Sequence, residues 1–242
     1  MAFKTEAFVL RTRAWREADR LYYLFTPHEG LITAVVKAAA KSSSKLSGHL
    51  PPFAKVKVMI GRGKMDHVAG THLIKDYQNI RTNLRSMSLA SSIIELFLGE
   101  VSTGPRWKEF QLLEEIFTLL DDDQLSDEKK MLLVRTFLWK FLSISGWHPH
   151  LDNCVSCGAS VSSGYYLPGR GVVCKKHQPA NALLMSEDLL QFLREILARP
   201  LMDVLDLSIA KQLNREWLQA SQAYYQEVYD RPSQALKLFI YG

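Results

Sequence analysis

Apolar and polar residues alternate in short runs through the first third of the chain, and charged or Pro/Gly-containing turns separate the runs. Alternation of this kind, in runs rich in β-branched and aromatic residues, predicts β-strands. The predicted strands are Thr5–Thr12, Asp19–Thr26, Leu31–Ala38, Phe53–Ile60 and Asp66–Lys75. Five short strands with one long loop, from Ala39 to Pro52, fit a small barrel such as the OB-fold.

Beyond Asn83 the pattern changes, and apolar residues recur at spacings of three and four, which is typical of helices. Ser126 and Ser186 each precede an acidic first turn, as expected of helix N-caps. A short apolar tail, Ser233–Tyr241, is expected to dock onto these helices. The predicted helices are Ser88–Val101, Trp107–Leu120, Met131–Ile144, Glu187–Ala198 and Ile209–Tyr229.

All three cysteines lie in one segment between the helices. Cys154 and Cys157 are separated by two residues, sixteen residues follow, and Cys174 and His177 form a second pair of the same spacing. Two such pairs can surround one tetrahedral ion, and four protein donors leave no position for a reactive water. The segment Gly164–Val173 has two β-rich runs around a Pro/Gly turn, which suits a short β-ribbon. The pattern predicts a Cys3His ribbon holding a structural Zn²⁺.

Alternatives to this metal site stay open at the sequence level. Three reduced, buried cysteines without a metal would give the same composition. His150 could replace His177 as the fourth ligand, and the spacing does not choose between them. Disulfide bonding is disfavoured, because the number of cysteines is odd and no secretory signal is evident.

These elements together predict an α+β multidomain protein, an N-terminal five-stranded OB-fold barrel followed by an α-helical domain with an inserted zinc ribbon. The barrel is expected at residues 1–80. The ribbon insert, residues 151–180, divides the helical domain into a first part at 81–150 and a second part at 181–242.

The positive charge is concentrated in the predicted barrel. Residues 1–83 carry 14 Lys/Arg and 6 Asp/Glu, a net charge of +8, whereas residues 84–242 carry 16 and 19, a net charge of −3. A one-sided positive field attracts polyanions, so nucleic-acid binding is the hypothesis and a merely solubilising surface is the alternative. The candidate phosphate contacts lie in turns and loops of the barrel: Arg11, Arg13, Lys37, Lys41, Lys45, Arg62 and Lys64.

Aromatic residues on the second strand offer a possible stacking surface for bases. Tyr22, Tyr23 and Phe25 alternate between the two faces of the strand, so at least one ring is expected to face outward. The alternative is that these rings belong to the core.

Several function classes lack their motifs. The chain has no Gly-Lys-Ser/Thr phosphate loop, no His-Glu-x-x-His pair and no His-x-Glu with Pro-Cys-x-x-Cys, so an enzyme is not expected. No uncharged run is long enough to span a bilayer, and the N-terminus lacks the apolar core of a signal peptide. We therefore expect a cytoplasmic protein, associated with the nucleoid and not with a membrane.

The chain resembles the family of the bacterial recombination mediator RecO over nearly its full length. The phrases that carry the resemblance are, in order, Thr5–Arg13, Glu17–Arg20, Leu24–Gly30, Val36–Ala39, Leu50–Phe53 and Cys154-x-x-Cys157-Gly158. The resemblance implies binding of single- and double-stranded DNA, strand annealing, and loading of a RecA-type recombinase onto DNA covered by single-strand-binding protein. The implied partners are RecR and single-strand-binding protein.

Two departures from the family pattern are visible. The family's ribbon often ends in Cys-x-x-Cys, whereas His177 stands at the last position here. Where the family frequently has Arg-Gly-Gly after the third strand, this chain has Lys37-Ala38-Ala39, which keeps the positive charge and loses the glycines.

Two other function classes compete with the mediator hypothesis. A zinc-ribbon transcription- or RNA-associated factor would contact nucleic acid through Arg170, Lys175 and Lys176. A protein–protein adaptor without a nucleic-acid role is compatible with the net charge of −3 in residues 84–242.

Overall fold

The computed structural model describes residues 2–41, 44, 46–100, 103–180, 182–207 and 209–229. Lys45 and the tail Ser233–Tyr241 lie outside the described residues. The chain divides into two compact units, residues 1–125 and residues 126–242. The predicted fold class is confirmed: a five-stranded barrel precedes helices, and a small β-sheet that carries the cysteines lies among the later ones.

Five strands build the first unit. They are β1 (Ala2–Trp15), β2 (Asp19–Thr26), β3 (Gly30–Val36), β4 (Lys55–Gly61) and β5 (His67–Lys75). They close in the order β1-β2-β3-β5-β4, and neighbours run antiparallel except for β3 and β5. The β3–β5 contact is a single parallel pair, Val35 with His67, supported by the Val35 amide donating to the Asp66 carbonyl at 2.9 Å.

The interior of the barrel follows the alternation that the sequence predicted. Inward positions are taken mostly by alanine and aliphatic residues, which fit a narrow barrel. Val9, Leu24 and Val56 are fully buried there. Every second residue points outward, and what covers that outer face differs from one part of the barrel to another.

Helices cover one part of the outer wall. They are α1 (Gln78–Thr82), α2 (Leu84–Glu100) and α3 (Trp107–Leu120). Phe8 on β1 packs against Phe110 and Phe117, with ring centroids 4.9 and 5.7 Å apart, and Phe25 on β2 packs against Phe97 at 4.8 Å. Within the first compact unit α2 and α3 therefore give the outward phenylalanines of the barrel an apolar cover.

A buried lysine joins the barrel to α3. The Lys55 ammonium lies 3.0 Å from a Glu6 oxygen and 2.8 Å from a Glu114 oxygen. Burial alone would lower the pKa of Lys55, but the hydrogen bonds and charges of Glu114 and Glu6 outweigh it and hold that pKa above its usual value. Lys55 therefore stays charged and links β1, β4 and α3.

The helices of the second unit are α4 (Asp127–Leu142), α5 (Glu187–Ala198) and α6 (Lys211–Val228). The Ser126 and Ser186 side chains accept from Lys129 and Leu189 amides, so both predicted N-caps are confirmed. Trp139 is fully buried and donates through Nε1 to Ser221 Oγ at 2.8 Å, which ties α4 to α6. Among the described helices, none has the length and apolar character needed to cross a membrane.

A three-stranded sheet of the second unit lies in the segment that contains the cysteines, which stand in turns next to its strands. Its strands are β6 (Gly164–Leu167), β7 (Gly171–Val173) and β8 (Leu184–Met185), in the order β7-β6-β8. Gly171 has φ +133°, and a Cβ there would stand 2.1 Å from the His150 carbonyl oxygen, so only glycine fits. The Tyr166 hydroxyl donates to Glu227, so the sheet is fastened to α6.

Replacing Phe8 by alanine tests the aromatic contact between barrel and helices. Phe8 is fully buried among aromatic rings, so the Phe8→Ala cavity is expected to destabilise the protein by about 3–5 kcal/mol. Leu84→Ala is the control: Leu84 is 74% exposed, and its loss should change stability by less than about 0.5 kcal/mol. Urea unfolding followed by circular dichroism measures both, and equal midpoints for the two variants would contradict this packing.

Candidate functional site

Four side chains of the second unit converge on one point. The ligand atoms of Cys154, Cys157, Cys174 and His177 all lie within 4.8 Å of one another. Cys157 Sγ is 3.9 Å from Cys174 Sγ, and His177 Nδ1 is 3.3 Å from Cys174 Sγ and 3.7 Å from Cys154 Sγ. Tetrahedral zinc with ordinary bond lengths separates two sulfurs by about 3.8 Å and a sulfur and a nitrogen by about 3.6 Å. The donor set therefore fits a tetrahedral metal such as zinc.

Backbone geometry holds the first pair of cysteines in place. The Gly158 amide donates to the Cys154 carbonyl at 2.7 Å, and Gly158 has φ +75°, a conformation that glycine adopts without strain. The Val155 amide donates to the Val172 carbonyl at 3.0 Å, which joins this turn to β7. The same strand places the second pair, because Cys174 directly follows the last residue of β7.

The electrostatics of the cluster favour the thiolate at two of the three cysteines. At Cys157 the Ala159 amide lowers the pKa, but hydrogen bonds with the Cys154 and Cys174 thiols and burial outweigh it and raise that pKa. Backbone amides, that of Cys174 foremost, lower the pKa of Cys154 to about 6, and the His177 ring lowers the pKa of Cys174. The same contacts, with Cys174 first and then Cys154, raise the pKa of His177. The thiolate is the metal-binding form of cysteine, so a cation that binds the cluster displaces the protons of Cys157 and His177.

The structure also locates His150, the other candidate for the fourth ligand. His150 lies outside the group of four and pairs with β7, accepting at its carbonyl from the Val172 amide at 2.9 Å. His177 occupies the fourth corner because the turn after Cys174 is a short 3-10 helix, in which the His177 amide donates to the Cys174 carbonyl at 2.9 Å.

A second feature is a basic strip on the barrel wall, which begins at Arg11 beside α2. Arg11 and Arg13 are exposed on β1, and Arg11 is directly opposite Tyr23 on β2. The Arg13 guanidinium stands 5.7 Å from the centre of the Tyr23 ring. Tyr23 is half-buried, while Tyr22 and Phe25 are buried, so Tyr23 is the ring on this strand that reaches the surface.

The loop after β3 extends this basic strip. Lys37 and Lys41 are exposed. Ala38, which follows Lys37, donates its amide to the Asp19 carboxylate at 2.9 Å. The Ala40 amide donates to the carbonyl of Ala18 at 2.9 Å, so the loop is fastened to the turn between β1 and β2. Lys37 and Lys41 thus lie at the end of the barrel where β1 turns into β2.

That turn supplies two further cations, Arg16 and Arg20, both exposed. Arg16 lies in the turn and follows Arg11 and Arg13, where the sequence already suggested phosphate contacts, whereas Arg20, on β2, was not among the candidates. The signal that could have found Arg20 is its place as the last of four arginines around this short turn. We use the term basic strip for Arg11, Arg13, Arg16, Arg20, Lys37 and Lys41 together with Tyr23.

Arg62 and Lys64, the other candidates, lie in the turn between β4 and β5. Arg62 is paired with Asp66 at 2.6 Å and with Glu29, and its guanidinium stands 4.6 Å from the centre of the Phe3 ring. Its charge is therefore compensated within the barrel, whereas Lys64 is exposed.

Two family models of the same protein match consecutive parts of the chain. The family model described as Recombination protein O N terminal matches residues 1–77, and the model described as Recombination protein O C terminal matches residues 81–237. The chain belongs to the RecO family. It is 31% identical to DNA repair protein RecO of Dehalococcoides mccartyi, an alignment that covers 97% of this chain and 93% of the relative.

Further relatives in the RecO family come from distant bacteria. DNA repair protein RecO of Clostridium perfringens is 27% identical, with 95% of this chain and 94% of the relative covered. That of Geobacter metallireducens is 33% identical, with 65% and 64% covered. The family suggested by the sequence phrases is confirmed.

Replacing each of the two candidate histidines in turn tests which residue completes the cluster. His177→Ala is expected to weaken metal binding strongly, because it removes one of four converging donors, whereas His150→Ala should keep the metal. His177→Cys should also keep it, since a thiolate is an equally good donor. The metal content of each purified variant, measured by inductively coupled plasma mass spectrometry, gives the answer. Loss of metal in His150→Ala with retention in His177→Ala would reverse the assignment.

Proposed function

We propose that this protein binds DNA through the basic strip of its barrel and acts as a recombination mediator in DNA repair. It would bind single- and double-stranded DNA, anneal complementary strands, and help to load a RecA-type recombinase onto DNA covered by single-strand-binding protein, together with RecR. The observation that carries the proposal is an exposed row of cations beside a surface tyrosine, on an OB-like barrel of a RecO-family chain.

The charges of the basic strip support binding to the phosphate backbone. Arginine and lysine side chains that neutralise phosphates release counterions, which makes binding favourable and dependent on salt. Arg11 and Arg13 lie along β1, and Lys37 and Lys41 lie at the end of the same wall. No arrangement in the strip selects a base edge, so the expected binding has little sequence preference.

Tyr23 supports binding of unpaired bases. Aromatic rings stack on bases of any sequence, and stacking requires that the base is not already paired. A surface that combines phosphate contacts with one stacking ring can hold a strand while its base edges stay accessible to a complementary strand. That is the physical basis on which we propose annealing, a process without bond-making by the protein.

Partner binding is proposed from the family relationship. Residues 84–242 carry a net charge of −3, which suits contacts with proteins better than with DNA. We assign RecR and single-strand-binding protein as partners on this ground, and place the protein in the cytoplasm at the nucleoid, where DNA repair takes place.

We also propose that the cluster of three cysteines and one histidine binds Zn²⁺ in a structural role. The four donors fill the tetrahedral coordination that zinc prefers, which leaves no position for a substrate or a reactive water. The chain around the cluster is fastened to α5 and α6: the Arg194 guanidinium donates to the carbonyls of Leu151 and Val161, and Tyr166 donates to Glu227. Zinc would hold the turns of the ribbon in the arrangement that these contacts need.

Charge reversal in the basic strip tests the DNA-binding surface. Lys37→Glu with Lys41→Glu is expected to weaken binding of a labelled single-stranded oligonucleotide without unfolding the protein. The slope of log affinity against log salt should flatten by about 1.4 or more, because each phosphate contact to a single strand contributes about 0.7. Fluorescence anisotropy at several salt concentrations measures both quantities.

Two further double variants make this test specific. Lys129→Glu with Lys211→Glu changes the net charge equally at exposed positions of the second unit and should leave binding nearly unchanged. If Lys175→Glu with Lys176→Glu abolishes binding and the barrel variant does not, the ribbon is the nucleic-acid surface. If wild type shows no salt-dependent affinity, the adaptor hypothesis replaces this one.

Tyr23 gives a separate prediction about single strands. Tyr23→Ala should weaken single-strand binding at least about fivefold, the lower end of what one stacked base contributes, and weaken duplex binding much less. Tyr23→Phe keeps the ring and should bind like wild type. Anisotropy titrations with matched single-stranded and duplex oligonucleotides test this, and equal losses for both DNA forms in Tyr23→Ala would argue against stacking.

A further inference from the structure

The histidine that the cluster does not use lies in a distinctive segment. From His148 to Asp152 exposed and buried residues alternate: His148, His150 and Asp152 are exposed, and Pro149 and Leu151 are buried. Residues two apart in extended backbone point to the same side. The ring centroids of His148 and His150 are 6.5 Å apart. Two imidazoles and a carboxylate thus share one face.

The backbone of this segment is fixed on both sides. The His150 amide donates to the Arg170 carbonyl at 3.1 Å, and the His150 carbonyl accepts from the Val172 amide at 2.9 Å. Just before the segment, the Trp147 carbonyl accepts from the Tyr224 hydroxyl at 2.7 Å. The backbone positions of the two histidines are therefore fixed, which lowers the entropy lost when both rings bind one ligand.

A hydroxyl orients the first of the two rings. His148 Nδ1 and Ser143 Oγ are in hydrogen-bond contact. In the tautomer in which Nδ1–H donates to Ser143, the other nitrogen, Nε2, carries the lone pair. Histidines that bind metals almost always donate their second N–H to a protein oxygen in this way.

The same face lines a cavity of about 580 Å³, whose wall includes His148, His150, Asp152 and Arg194. The Arg194 cation is compensated there, because its Nε lies 2.9 Å from Asp152 Oδ1 and its Nη2 donates to the carbonyls of Leu151 and Val161. The cavity has room for an ion with its water ligands.

We propose that His148 and His150 form a second metal site, which takes a divalent transition-metal ion through two imidazole nitrogens and completes its coordination with water. Imidazole suits nickel, copper and zinc, whereas it is a poor ligand for magnesium or calcium. Two imidazoles on one ion place their ring centroids about 4.5–5.5 Å apart, so the exposed rings must rotate to approach each other by about 1–2 Å. The site shares no ligand with the cysteine cluster and does not depend on DNA binding.

Nickel is the probe for this site. Full-length protein is saturated with zinc, freed of excess zinc by gel filtration, and titrated with Ni²⁺ in an isothermal calorimeter. Wild type is expected to bind one equivalent of Ni²⁺ while its zinc content stays constant. His148→Ala with His150→Ala should weaken that binding at least about tenfold, since both protein ligands are removed. His72→Ala removes an exposed histidine on β5 and is the matched control.

Two additional measurements separate a true site from indirect effects. Ser143→Ala should weaken Ni²⁺ binding by about tenfold through loss of ring orientation, without a change in circular dichroism. Co²⁺ added to metal-free protein should give the same thiolate-to-cobalt charge-transfer band in wild type and in the double histidine variant, which shows that the cysteine cluster is intact. Equal Ni²⁺ affinity in wild type and the double variant, or no Ni²⁺ uptake by wild type, would overturn the proposal.

Discussion

A β-bulge at Leu10 decides which side chains the barrel shows to its surroundings. Val9 faces Leu24 on the neighbouring strand, and the next pair is Arg11 with Tyr23, so Leu10 is an extra residue in β1. Without it, Arg11 would face Tyr22 and point into the apolar interior. With it, the outward row of β1 continues from Phe8 to Arg11. The outward direction of Arg11 and Arg13 in the basic strip depends on this one irregularity in the ladder.

The same outer wall then serves two purposes along its length. Near Phe8 and Phe25 the wall is apolar, and helices cover it in a packed aromatic cluster. From Arg11 onward it is charged and remains open to solvent. The change occurs within three residues of β1, so one strand contributes both to an apolar packing surface and to a positively charged exposed surface.

The cysteine cluster shows a different relation between stability and ligand binding. Cys154, Cys157 and Cys174 come from turns around β7, and hydrogen bonds of the backbone set their positions. Gly158 and Gly171 are needed because a side chain would strain the first turn and collide with His150 at the second position. The arrangement of the four side chains therefore rests on local backbone conformation, and contacts with α5 and α6 fix it within the second unit.

The sequence by itself determined the strands, most helices, the two serine N-caps and the cysteine–histidine spacing, because these depend on local periodicity and short-range backbone preferences. Tertiary structure decided what periodicity does not encode. Simple alternation puts Arg11 on the face of Val9, and only the pairing with β2 shows the bulge that separates them. Likewise, spacing left His150 and His177 equivalent, and the distinction came from β7, which pairs with His150 and positions Cys174 beside His177. Long-range pairing selects one of several locally acceptable arrangements, and that selection is a property of the whole fold.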